Sequence, residues 1–166
     1  MLRTLAFAPF ALLLASCGLQ PLYPGGGSAS VAQGLSAVAV SPMPGRAGWL
    51  MRNALEERLS VAGSAAPQYR LDVRLDDSLE ALGVLNDDTI SRERRILRAR
   101  YQLIDTVSGE ILLDATSGAD AGIDVVSSEY ATIAAEQTAL ENLAEEVADR
   151  IVTQVSLTLR ERAQSE

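Results

Sequence analysis

Tyr69-Arg70-Leu71-Asp72-Val73-Arg74-Leu75-Asp76 alternates apolar and charged residues without a break. A period of two with one charged face predicts a strand in an antiparallel sheet that is covered on one side only. The pattern returns in Leu97-Arg98-Ala99-Arg100-Tyr101-Gln102-Leu103. Between the two lies Asn86-Asp87-Asp88, which has the chemistry of a turn, so the first strand is expected to run on to about Val84. Matching the apolar faces about Asp87 sets a register. Leu71 meets Leu103, Val73 meets Tyr101 and Leu75 meets Ala99. On the polar face Asp76 meets Arg98, Glu80 meets Arg94 and Arg74 meets Arg100. Asp77 then opposes Leu97 on the apolar face, which predicts a bulge or fraying there.

Working outward, Asp105-Thr106-Val107-Ser108-Gly109 reads as a second turn, and Glu110 to about Ala121 as a further strand. Three strands joined by turns make a meander. Upstream, Leu35 to Val40 is a short apolar run read as the first strand, ended by Pro42 and Pro44, which cannot continue a ladder. From Arg46 to Ala62 the period lengthens: Met51, Leu55 and Leu59 recur at every fourth residue, and Gly63 is a natural C-cap. The last element is expected from about Ser128 to Glu161, capped by Ser127 or Ser128, with Glu129 suited to the first-turn dipole. Ile133, Leu140, Ala144, Val147, Ile151 and Val155 keep one helical phase, which outweighs the strand-like alternation of Val155, Leu157 and Leu159. The order β-α-β-β-β-α gives an α+β fold, with two helices packed on one face of a four-stranded, mostly antiparallel sheet.

The N-terminus addresses the compartment. Arg3 precedes an apolar run from Leu5 to Ala15, too short for the roughly 20 residues of a membrane-spanning helix. It ends in Leu14-Ala15-Ser16-Cys17, which looks like the lipobox of bacterial lipoproteins. Residues 1–16 are therefore expected to be a lipoprotein signal peptide, with cleavage before Cys17 and a covalent N-terminal lipid on that residue. Several acyl chains anchor firmly, each buried CH₂ contributing roughly 0.8 kcal/mol. Gly18 in place of Asp fits residence in the outer membrane, on its periplasmic side. Pro21, Pro24, Gly25-Gly26-Gly27, Ser28 and Ser30 carry no periodicity, so 17–34 is expected to be the lipidated start and a flexible tether, and 35–166 a single domain.

Composition removes whole classes of function. The 166 residues include no His, so a Ser-His-Asp triad and imidazole metal ligation are excluded. One Cys makes neither an internal disulfide nor a CxxC cluster. The net charge of −8 opposes nucleic-acid binding. No G-x-S-x-G, Walker A, GxGxxG or HExxH sequence occurs. Asp76-Asp77 and Asp87-Asp88 fall in or beside expected turns, where Asp bonds backbone, and Glu145-Glu146 reads as solvated helix surface. No catalytic residue, metal site or cofactor is expected.

One cluster stands apart. Arg92, Arg94, Arg95, Arg98 and Arg100 place five of fourteen arginines within nine residues. Four share even parity, so a strand would line them on one face, suited to bidentate contact with phosphate or carboxylate. The register above pairs Arg94 and Arg98 with carboxylates on the preceding strand. Arg92, Arg95 and Arg100 are left freer to hold an anion.

Several fragments resemble the LPS-assembly lipoprotein LptE family in its alphaproteobacterial form. They are Cys17-Gly18-Leu19-Gln20-Pro21-Leu22-Tyr23, Leu50-Met51-Arg52-Asn53-Ala54-Leu55, Tyr69-Arg70-Leu71-Asp72-Val73, Ala99-Arg100-Tyr101-Gln102-Leu103 before Ser108-Gly109-Glu110, then Glu129-Tyr130-Ala131-Thr132, Ala135-Glu136 and Ala148-Asp149-Arg150-Ile151. The resemblance implies two helices on a four-stranded sheet. It also implies a non-enzymatic outer-membrane lipoprotein that plugs the LptD β-barrel, helps it assemble and assists lipopolysaccharide delivery to the cell surface. The family's lipopolysaccharide-binding residues are basic, but none maps residue by residue here, which leaves Arg92 to Arg100 as the physical candidates. The alternatives are an auxiliary lipoprotein of another envelope lipid-transport system, or a His-free lipoprotein hydrolase.

Overall fold

Register decides this fold. The computed structural model describes residues 27–60, 65–82 and 92–165, with side chains from residue 32. In chain order the elements are α1 (Gly27–Ser36), β1 (Val38–Val40), α2 (Gly45–Ser60), β2 (Tyr69–Ala81), β3 (Arg92–Asp105), β4 (Ile111–Asp124) and α3 (Glu129–Ser165). One sheet runs β1-β2-β3-β4, with β1 parallel to β2 and the other pairs antiparallel. Leu71 opposes Leu103, Val73 opposes Tyr101 and Leu75 opposes Ala99, as the apolar alternation requires.

That phase turns Leu71, Val73, Leu97, Ala99, Tyr101 and Leu103 to one side. There they share a core with Met51 and Leu55 of α2 and with Leu140, Val147, Ile151 and Val155 of α3. The fold is α+β with both expected helices on one sheet face. At about 25 cal/mol per Å², each fully buried Leu or Val contributes roughly 1.5–3 kcal/mol. Gly48 matters to this layer. A Cβ there would lie 2.8 Å from the Met43 backbone, so a side chain would push the Pro42–Pro44 entry off α2. Ser128 closes the N-terminus of α3 by accepting the Ala131 and Thr132 amides on its carbonyl, and α3 stays helical through Val155, Leu157 and Leu159.

Four expectations need correction. Residues 27–34, assigned to the tether, are helical, and Leu35 and Ser36 close that helix instead of opening β1. The reason is tertiary: at Gly34 a Cβ would stand 3.3 Å from Leu159 Cδ1, so α1 docks closely on α3, and packing overrides the poor intrinsic propensity of a Gly- and Ser-containing segment. The β2–β3 register runs from Tyr69 to Ala81 with no bulge at Asp77. The one irregularity lies between β3 and β4, at Leu103/Ile104. Asp76-Asp77 belongs to a strand and not to a turn. Finally, β3 begins at Arg92, so all five clustered arginines are in it, and β4 extends to Asp124. Residues 1–26, Gly63, Val84 and the turn at Asn86-Asp87-Asp88 lie outside the described residues.

Candidate anion-binding face

The helices cover one face of the sheet, and the even-numbered positions of β2, β3 and β4 make up most of the other. Arg92, Arg94, Arg98 and Arg100 are exposed on that open face, while Arg95 points to the helix side. Across β2 to β4 the open face carries six arginines (70, 74, 92, 94, 98, 100) and six carboxylates (72, 76, 80, 114, 120, 124). It is therefore a neutral lattice within an acidic chain.

The pairing within that lattice changes the expected division: Arg94 is paired, though with β4, Arg92 and Arg100 are paired as well, and Arg98 is not, among the described residues. Arg92 Nε lies 3.2 Å from Asp124 Oδ1 and Arg94 Nε 3.5 Å from Asp120 Oδ2. Arg100 donates through Nε and Nη2 to both Asp114 oxygens, at 3.2 and 3.0 Å, and Gln102 Nε2 donates to Oδ2 at 2.8 Å. Arg100 and then Gln102 thus hold the Asp114 carboxyl below its usual value, and Asp114 in turn holds Arg100 above the usual arginine value. On this face the arginines of β3 lean toward β4 and away from the acids of β2.

Two glycines explain the lean. Gly118 opposes Arg98 and Gly122 opposes Arg94. A Cβ on Gly118 would come within 3.2 Å of Arg98 Cγ, and one on Gly122 within 3.6 Å of Arg92 Nε. The missing side chains leave troughs in which the arginines lie. Arg98, expected to pair with Asp76, rests across Gly118 and makes no ion pair among the described residues, nor does Asp76.

Arg95 is corrected more strongly. Its Nε and Nη2 donate to the two Asp77 oxygens at 2.9 and 2.7 Å, and Nη1 donates to the Glu136 carbonyl of α3 at 3.0 Å. The two side chains are only 17% and 24% exposed, and Asp77 holds Arg95 above the usual arginine value. A bidentate pair tied to a helix backbone is structural, and it is also what accommodates Asp77 on the apolar face.

What remains available lies mid-sheet. Arg74 stands opposite Arg100 in register, and Arg98 is next on the same face of β3. Arg74 makes no ion pair among the described residues, and its neighbour Asp72 is engaged by Arg70 and by the Ser41 hydroxyl. A shallow depression of about 160 Å³ is lined by Asp72, Arg74, Arg100 and Gln102. Arg74 and Arg100, from neighbouring strands, can there present guanidinium donors to an oxyanion, and Arg98 is next along the same face of β3. Arg74 was not among the sequence candidates. The signal for it was its register position opposite Arg100, and the signal for the lean was the i, i+4 spacing of Gly118 and Gly122. Cys17 lies outside the described residues. Among those residues no group of side chains could hold a metal ion, and no helix is long and apolar enough to cross a membrane.

Comparison with known proteins identifies the architecture. The LptE family, described as lipopolysaccharide-assembly, matches residues 35–155. A lipoprotein from Caulobacter crescentus CB15 is 25% identical, covering 81% of this chain and 98% of that one with a TM-score of 0.67. Rare lipoprotein B from Shewanella oneidensis is 12% identical, covering 78% and 98% with a TM-score of 0.61. A minor lipoprotein from Acinetobacter baumannii is 14% identical, covering 74% and 92% with a TM-score of 0.58. No curated protein sequence matches the chain.

Proposed function

Because the chain belongs to the LptE lipopolysaccharide-assembly family, we propose that it is a non-enzymatic outer-membrane lipoprotein, anchored through lipid on Cys17, that plugs and helps assemble an LptD-type β-barrel and assists lipopolysaccharide transport to the cell surface. The family match over residues 35–155 carries this reading. The open sheet face supports it: a neutral, charged lattice suits a hydrated barrel lumen. Arg74, Arg98 and Arg100 are the groups that take lipopolysaccharide phosphates, with Arg92 and Arg94 beside them. Exposed ion pairs contribute little and exchange readily, so a phosphate competes for Arg100 against Asp114. Arg95 is excluded from contact because Asp77 and Glu136 occupy its donors.

The test is affinity purification of a C-terminally tagged protein extracted from its own membranes. A large outer-membrane barrel recovered in about equal amount supports the plug. A transporter subunit, or no partner, overturns it in favour of an auxiliary lipoprotein. Titration with purified lipopolysaccharide then examines the face. Arg74→Glu with Arg98→Glu should weaken binding by about tenfold or more, each lost charge-assisted contact being worth roughly 1.5–3 kcal/mol at most. Unchanged binding removes these residues from the site.

A further inference from the structure

A different surface, on the far side of the helix layer from the arginines, has its own chemistry. Trp49 is the only tryptophan in the chain, and it stands 62% exposed on α2. Burying an indole is among the largest single apolar gains open to a folding chain, so leaving it in solvent needs a reason. Beside it, between α2 and α3, runs a groove of about 310 Å³. Its floor includes Ala54 and Ala144, both buried, and these small side chains let another group settle between the two helices. Its rim carries Glu57, Glu141 and Glu145.

The charges around the groove are unbalanced. Arg46 reaches Glu141 at 3.1 Å, and Arg58 is held by Asp149 through its Nε. Glu57 and Glu145 make no ion pair among the described residues. An indole that shares a groove with two carboxylates, coupled only through space to an Arg58 already bonded by Asp149, is complementary to one kind of group, a cation that can lie flat on a ring while donating sideways. A guanidinium does both, and an ammonium does the first. Lipopolysaccharide is an anion and is repelled here.

We propose that the α2–α3 groove at Trp49 docks a basic segment of a partner polypeptide, with one arginine or lysine side chain stacked on the indole and others meeting Glu57 and Glu145. The site is independent of the lipopolysaccharide face, so either can fail without the other. Every outward carboxylate here lies on a rigid helix, so the arrangement exists before a partner arrives, and little ordering entropy opposes binding.

Trp49 is also the reporter. The full chain in detergent is titrated with a short peptide of alternating glycine and arginine, and tryptophan emission is recorded. A saturable change is expected. Glu57→Gln with Glu145→Gln should raise the dissociation constant by about tenfold. Asp120→Asn with Asp124→Asn removes the same charge from the opposite face and should leave it within about twofold. Trp49→Ala, followed by calorimetry, should also weaken binding, while circular dichroism stays unchanged in all variants. Equal weakening by both double variants, or no saturable change, overturns the proposal. An emission shift caused by phosphatidylcholine vesicles and not by the peptide assigns the indole to a lipid surface and overturns it as well.

Discussion

The two faces of β3 come from one strand, yet different rules hold them. On the helix side, Leu97, Ala99, Tyr101 and Leu103 are buried against α2 and α3, and position is set by volume and phase. On the open side, Arg92, Arg94 and Arg100 are held by ion pairs in water and Arg98 lies across Gly118, so position is set by which neighbour leaves room. Shifting β3 by one residue would exchange these two sets, so the apolar face fixes the register of both. The charged face then arranges itself within a frame it did not choose. Energetics should therefore fall steeply from one side to the other, with the Asp77–Arg95 pair between the extremes.

Leu103→Ala gives the largest effect. Leu103 is fully buried, and emptying its site should cost about 3 kcal/mol, read as a lower urea midpoint at unchanged slope. A loss below about 1 kcal/mol would break the contrast between the faces. Asp77→Ala comes next. It leaves Arg95 with only the Glu136 carbonyl, in a site where both partners are largely covered. The expected cost is about 1–2 kcal/mol, between an exposed and a buried pair. Asp77→Leu with Arg95→Met should recover most of it, since apolar groups suit that face. If the double variant is no better than the single one, the pair does more than excuse a carboxylate among leucines.

Asp114→Asn is the smallest change and the sharpest probe of the open face. The folded-state carboxyl titrates below its usual value because Arg100 bonds the charged form, so near pH 3–4 the unfolded chain binds more protons than the folded one. The contribution is complete well above the unfolded carboxyl's value of about 3.9 and is lost as pH falls through the folded value. The variant lacks that contribution, so it should be slightly less stable than the parent at pH 7 and lose less stability as pH falls below about 4, the two proteins converging in acid. Parallel acid limbs in the two proteins would mean that the Arg100–Asp114 contact is not populated in solution.

The same division explains what the sequence discloses. Alternation over Tyr69–Asp76 and Leu97–Leu103 is a packing signal, and burial enforces it strongly enough for pairing partners to be read from the chain alone. The open face obeys weaker forces. Arg98 stands opposite Asp76 and still turns to Gly118, because about 1 kcal/mol or less separates such choices and an absent side chain on the other neighbouring strand tips them. Arg95 was misjudged for a related reason. Its partner Asp77 looks like an error in the apolar phase until both are placed on one face, where each accounts for the other. α1 was hidden because glycine and serine argue against a helix locally, and only the approach of Gly34 to Leu159 supplies the missing stabilisation.

Unequal strand lengths have a mechanical consequence. β1 is zipped to β2 by three residue pairs, whereas β2–β3 and β3–β4 are each zipped by thirteen. A pull entering from the N-terminus travels through α1 and β1 before it reaches the meander. The weakest seam therefore lies first in the line of force. Under tension α1 and β1 can peel away and extend by several nanometres, since an extended residue spans at most about 3.6 Å. The three long strands would keep their alignment meanwhile, so that stretching extends the N-terminal end of the domain and leaves its surface chemistry in place.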